Sequence, residues 1–124
     1  MKKTEIAKKI DKLFTKHLGG ELGDYRIFYN NKAIDVNTSE GRNILEDIKA
    51  SDYSEYANDD TITVTFDGHI YELINYGCHI EGDAGFGIEP SHDWNLITDL
   101  TELLEKYNCW FENGNAWNFN VYEN

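Results

Sequence analysis

Three turn signals, each set between short segments of alternating or apolar residues, constrain this chain more than any other feature, because they call for antiparallel strand pairing. Residues 24–29 and 32–36 flank Asn30-Asn31, a pair that tolerates the positive φ of a tight hairpin. Residues 61–66 alternate at period two and are rich in β-branched side chains; Asp67-Gly68 follows, and residues 69–74 read as the returning strand. Residues 109–112 and 115–122 flank Asn113-Gly114, with Trp117, Phe119 and Val121 expected on one face. Around these strands, Ile6, Ile10, Leu13, Phe14 and Leu18 recur at helical spacing and Gly19-Gly20 follows as a stop. Thr38 or Ser39 offers an N-cap for a short second helix carrying Ile44, Leu45 and Ile48 as far as about Ala50. Asp99 with Glu102 reads as a capping box for a third helix with Leu100, Leu103, Leu104 and Tyr107 on its apolar side, or that helix begins nearer Asp93. The expected fold is α+β: an antiparallel sheet of about six strands in hairpins, with about three helices packed on one face. The 124 residues hold no repeat, linker or low-complexity tract, so one domain over residues 1–124 is expected.

Charge is distributed unevenly along this frame. Residues 1–18 carry six lysines and two acids, which leaves 21 acids and five basic residues for the rest, a net charge of −16 on the body. The densest acidic stretch is Glu40, Glu46, Asp47, Asp52, Glu55, Asp59 and Asp60, relieved by Arg42 and Lys49. A body of this sign repels phosphates, so direct DNA binding and adhesion to an anionic membrane are not expected. No run approaches the ~18–20 apolar residues of a spanning helix. The first residues lack the apolar core of a signal peptide, and a soluble protein of the bacterial cytoplasm is expected. Tyr53 and Tyr56 lie within the polar stretch of residues 51–60, expected to be an exposed loop. Two readings stand for them: rings that anchor a basic partner steered in by the acids, or lids folded back on the sheet.

No segment reads as an active site. Ser91-His92-Asp93 holds the residue types of a hydrolytic triad, but consecutive side chains on one loop diverge, and a cap role suits Ser91 or Asp93 better. The glycines at 82, 85 and 87 lack a lysine and are flanked by acids, so they do not suit phosphate. Most of Trp110, Phe111, Trp117 and Phe119 are expected as core or cross-strand pairs. Cys78, His79, His92 and Cys109 supply the thiols and imidazoles that could close a tetrahedral zinc site, although their spacing exceeds the about two-to-four-residue intervals of a zinc finger. Zinc bound by these four, buried free thiols, and a Cys78–Cys109 disulfide are the alternatives.

A small acidic one-domain chain without catalytic motifs resembles the inhibitors of host nucleases encoded by phages and mobile elements. These include anti-CRISPR proteins of the Cas9-inhibitor type and anti-restriction DNA mimics. The acidic series from Glu40 to Asp60 and the net −16 of the body carry the resemblance. Nine lysines against two arginines, with thirteen asparagines, also suit an AT-rich genome. The resemblance is one of type over the whole chain. It implies a non-catalytic protein that binds a basic nucleic-acid-binding enzyme, a host defence nuclease, and blocks nucleic-acid binding or cleavage. The contact residues expected from the acidic window are Glu46, Asp47, Asp52, Tyr53, Glu55, Tyr56, Asp59 and Asp60. An immunity protein that neutralises a nuclease toxin, or a small zinc-binding protein, is the alternative.

Overall fold

The computed structural model describes residues 1–18, 23–37, 41–68, 70, 74 and 90–124, with backbone alone at 23 and 90–95. The chain begins with α1 (Lys3–Leu18), whose Ile6, Ala7, Ile10, Phe14 and Leu18 are buried at helical spacing while its lysines face outward. Then come β1 (Gly23–Tyr29), β2 (Lys32–Asn37), β3 (Gly41–Glu46), a 3-10 turn at Ala50–Asp52 and β4 (Ile62–Asp67). α2 (Pro90–Glu105) leads into the hairpin of β5 (Cys109–Asn115) and β6 (Asn118–Glu123). All pairings are antiparallel, in the order β3-β2-β1-β4-β6-β5.

Period-two alternation decides which side chains meet the helices. Tyr25, Ile27 and Tyr29 of β1, Ile62, Val64 and Phe66 of β4, and Phe119 and Val121 of β6 pack with Leu96, Leu100 and Leu104 of α2 and with the α1 stripe. Phe14 lies where these elements meet: its ring stands edge-on to Tyr25 at 5.1 Å and to Phe119 at 6.3 Å. Both helices cover the same side of the sheet. His17 Nε2 bonds Asp99 Oδ2 at 2.9 Å across the two helices, so Asp99 sits mid-helix with a tertiary partner and does not cap α2. No described helix is long and apolar enough to cross a membrane.

The antiparallel α+β architecture and its six strands agree with expectation, but one strand is exchanged for another. The short helix expected up to Ala50 is instead β3, with Ile44 opposite Ile34 and Leu45 opposite Ala33. Pairing with β2 outweighs a weak helical periodicity, and positive φ at Gly41 and Asp47 brackets the strand. β4 has no free edge for the return strand expected at 69–74, because it is paired on both sides, by β1 and β6. Ile70 and Ile74 carry helical backbone and add to the helix-side core. The other residues of that segment, and Thr38 and Ser39, lie outside the described residues. Two α-helices with described bounds therefore stand where about three were expected. The last hairpin turns at Ala116-Trp117, not at Asn113-Gly114, which lies in an irregularity of β5. Asn115 Oδ1 accepts the Trp117 N–H at 2.8 Å and so supplies the turn chemistry one position later.

Edge strand β3 is fastened to the helix layer by a polar network. Arg42 donates from Nε and Nη2 to Asp11 at 2.8 and 2.9 Å, and from Nη2 to Thr15 at 3.0 Å. The Tyr25 hydroxyl donates to Asp11 Oδ1 at 2.6 Å. Burial first, then the bond to Asp11, raises the Tyr25 phenol from 10.0 to about 12. The folded state therefore favours the protonated phenol. Its contribution is fully present below pH 10 and is lost as pH rises through about 12. Urea unfolding at stepped alkaline pH is expected to show this loss. Tyr25→Phe is expected to cost about 1 kcal/mol at neutral pH and to flatten the alkaline decline.

Candidate functional site

The side of the sheet away from the helices has a different composition. Thr63 and Thr65 of β4 alternate with its buried apolar residues, as do Asn118, Asn120 and Tyr122 of β6 with Phe119 and Val121. Arg26 and Phe28 of β1 and Ala33 and Asp35 of β2 share this side. Phe28 and Ala33 form a small second apolar cluster with Ala50, flanked by Leu45, Ile48 and Ala57. The segment after β3 thus lies over one part of the open face, and neither α1 nor α2 covers the rest.

Backbone and amide bonds hold that segment in place. Asn120 Nδ2 donates to the Tyr56 carbonyl at 2.8 Å, and Asn118 Nδ2 reaches the same oxygen at 3.4 Å. The Thr63 hydroxyl accepts the Asn58 N–H at 3.1 Å and donates to Asn120 Oδ1 at 2.6 Å. Ser51 donates from its backbone N and its hydroxyl to Asp59, and the hydroxyl bond lowers the Asp59 carboxyl below its ordinary value. Gly114 lets the segment approach β5 closely: a Cβ there would stand 2.6 Å from Tyr56 Cβ.

Beside the segment lies a concavity of about 480 Å³ whose lining includes Asp24, Asp35, Glu55 and Asp67, with Arg26 as the one basic residue among the described lining residues. Asp24 and Asp67 stand opposite each other across β1 and β4, which concentrates negative potential at that end. Arg26 Nε bonds Asp35 Oδ1 at 2.9 Å, and the Arg26 guanidinium carbon lies 5.0 Å from the centre of the Tyr53 ring. The Tyr53 ring also meets Phe28 at 5.5 Å between centroids. Trp117 forms part of the opposite wall, fixed by its carbonyl, which accepts the Phe66 N–H at 2.9 Å. Asn118 also lines the concavity, and its Oδ1 is buried with no hydrogen-bond partner among the described residues.

The exposed aromatic rings gather on this side and its rim. Tyr53, Tyr56, Trp110 and Trp117 are 52%, 48%, 43% and 50% exposed, and Trp110 stacks on Tyr122 at 5.0 Å. The segment carrying Tyr53 and Tyr56 is folded onto the sheet, and about half of each residue's surface faces solvent. Of the acidic window, Tyr53 and Glu55 line the concavity. Asp52 ends the 3-10 turn one residue before Tyr53, while Asp59 is engaged by Ser51 and Asp60 follows in the next turn. Glu46 and Asp47 lie at the end of β3, outside the lining of the concavity. Trp110 makes the expected cross-strand pair, with Tyr122, while staying half exposed on edge strand β5. Trp117, expected on one face with Phe119 and Val121, sits instead in the turn and is exposed. Phe119 and Val121 do face the core.

A second concavity, about 460 Å³, lies between the helices, with Lys9, Lys12, Lys16 and Lys106 around Leu13 and Leu103. It contains none of the expected contact residues. Cys78 and His79 lie outside the described residues, and His92 lies in α2 where the backbone alone is described. Cys109 is buried, its Sγ donates to the Tyr107 carbonyl at 3.3 Å, and burial pushes its thiol up. No cluster of three or more His, Cys, Asp or Glu side chains suited to a metal occurs among the described residues. Comparison with protein families, with curated proteins and with solved structures finds no match to this chain.

Gly114→Ala tests whether the close approach of the segment holds the site together. The added methyl meets Tyr56 Cβ at 2.6 Å and its carbonyl at 3.1 Å, so the segment must lift. Urea denaturation is expected to show a loss of about 1–3 kcal/mol. Hydrogen exchange is expected to accelerate in residues 51–60 ahead of the strands.

Proposed function

We propose that the chain is a non-catalytic binding protein that occupies the nucleic-acid site of a basic enzyme, a defence nuclease of the CRISPR effector class such as Cas9. The observation that carries this reading is the placement of half-exposed Tyr53 and Trp117 around a concavity with four carboxylates and one guanidinium. Aromatic rings supply rigid contact area with little rotamer entropy to lose, and surrounding carboxylates draw in a cationic surface before contact. A channel built to hold phosphates presents lysines and arginines at close spacing, which is the complement of this face. The net charge of −12 adds long-range steering in the same sense.

The experiment is a binding measurement with purified guide-loaded Cas9, with and without competing target DNA. Association is expected to slow as salt rises, since the Debye length falls from about 30 Å at 0.01 M to about 8 Å at 0.15 M. Tyr53→Ala and Trp117→Ala are each expected to weaken binding by about 2 kcal/mol, mainly through faster dissociation. Reversal of Asp52, Glu55 and Asp67 to Lys is expected to slow association. Reversal of Lys8, Lys9, Lys12 and Lys16 to Glu, on the helix side, is expected to leave dissociation unchanged. Binding indifferent to both salt and competing DNA, or lost in the lysine variant and kept in the others, contradicts the reading.

A further inference from the structure

The two edges of the sheet differ in how open they are to another strand. β5 is broken by the register shift between Asn113 and Asn115, a device that discourages edge pairing. β3 runs regularly opposite β2 for all six residues, and no described strand pairs with its outer edge. It also exposes an aliphatic residue: Ile44 is 52% exposed, whereas Ile34 opposite it is buried. An open, regular edge beside an uncovered isoleucine is a template for an added strand.

We propose that β3 pairs with β3 of a second copy of this chain, antiparallel, in the register that sets the two Ile44 residues opposite each other. The sequence Gly41-Arg42-Asn43-Ile44-Leu45-Glu46 is self-complementary in that register. Each Arg42 then faces the other copy's Glu46, and each Asn43 faces Leu45. Ile44, Arg42 and Glu46 share the helix side of the sheet, so two ion pairs flank one apolar contact. Shifting the register by two residues places Ile44 against Arg42 or against Glu46, and shifting it by one turns the two helix layers to opposite sides. Arg42 is prepared for this role: its bonds to Asp11 and Thr15 engage Nε and Nη2, which leaves Nη1 for the carboxylate. The arrangement closes on itself by a two-fold axis, so it stops at a dimer.

The dimer joins two chains of net charge −12, so their mutual repulsion sets the sign of its salt dependence. Added salt screens that repulsion and strengthens the dimer, the opposite of its expected effect on binding a basic enzyme. Sedimentation velocity over a concentration series is expected to show a reversible monomer–dimer equilibrium that shifts toward dimer at high salt. Ile44→Lys and Glu46→Lys are expected to shift it back toward monomer. A covalent readout fixes the register, using Ile44→Cys and Asn43→Cys, each combined with Cys78→Ser so that buried Cys109 is the one native thiol left. In the proposed register the Cα atoms at position 44 lie about 4.5–5.5 Å apart, within disulfide reach, and those at position 43 about 7–8 Å apart, beyond it. Mild oxidation is therefore expected to give a covalent dimer from Ile44→Cys and little from Asn43→Cys. A wild-type monomer at every concentration and salt, or equal cross-linking or none in the two variants, overturns the proposal.

Discussion

A six-stranded sheet has two faces, and the chain places both of its described long helices on one of them. Everything else about the molecule depends on how the second face is managed. Its strands cannot be apolar there without exposing a large hydrophobic area. Threonine and asparagine accordingly alternate with the buried residues of β4 and β6, and these side chains hold the 51–60 segment through the Tyr56 carbonyl and the Asn58 N–H. The cover is partial. Where it ends, Tyr53 and Glu55 are left at the margin of a concavity whose floor is sheet.

The two sides of the molecule also differ in charge. On the helix side, α1 carries its lysines outward, and the four ion pairs among the described residues involve none of them. On the open face, Arg26 is the one basic residue among the described residues that line the concavity, and it is held by Asp35 and the Tyr53 ring. Arg26 also exhibits, within one chain, the contact proposed for a partner: a guanidinium against an aromatic ring with a carboxylate beside it. The exposed aromatic rings lie on the open side and its rim, whereas the lysines of α1 lie on the helix side among the acids Glu5, Asp99, Glu102 and Glu105.

Local pattern made much of this legible. Ile6, Ile10 and Phe14 announce α1, Asn30-Asn31 announces the first hairpin, and the alternation of residues 61–66 announces β4. What local pattern could not show was which strand pairs with which. The Asp67-Gly68 pair has the chemistry of a hairpin turn, but β1 and β6 had already taken both edges of β4. β3 has a short ambiguous apolar run, and its pairing with β2 decided between helix and strand. The site was half legible for the same reason. Tyr53 and Glu55 stood out because exposed tyrosine and acid occur together in a polar stretch. Asp24, Arg26, Asp35, Asp67 and Trp117 come from other elements and are gathered by register. One signal was available: the polar positions between Phe119 and Val121 and between Val64 and Phe66 mark the sheet face turned away from α1 and α2.

The central claim is that the open face, not the helix layer, is the working surface for a cationic partner. Amide and side-chain chemical-shift mapping with a short arginine-rich peptide at physiological salt tests it directly. The largest shifts are expected at Thr65, Asn118, the Tyr53 ring and the Trp117 indole N–H, with α1 and α2 little changed. Shifts concentrated in the two helices, or spread evenly over every acidic residue with no focus at the concavity, would contradict it.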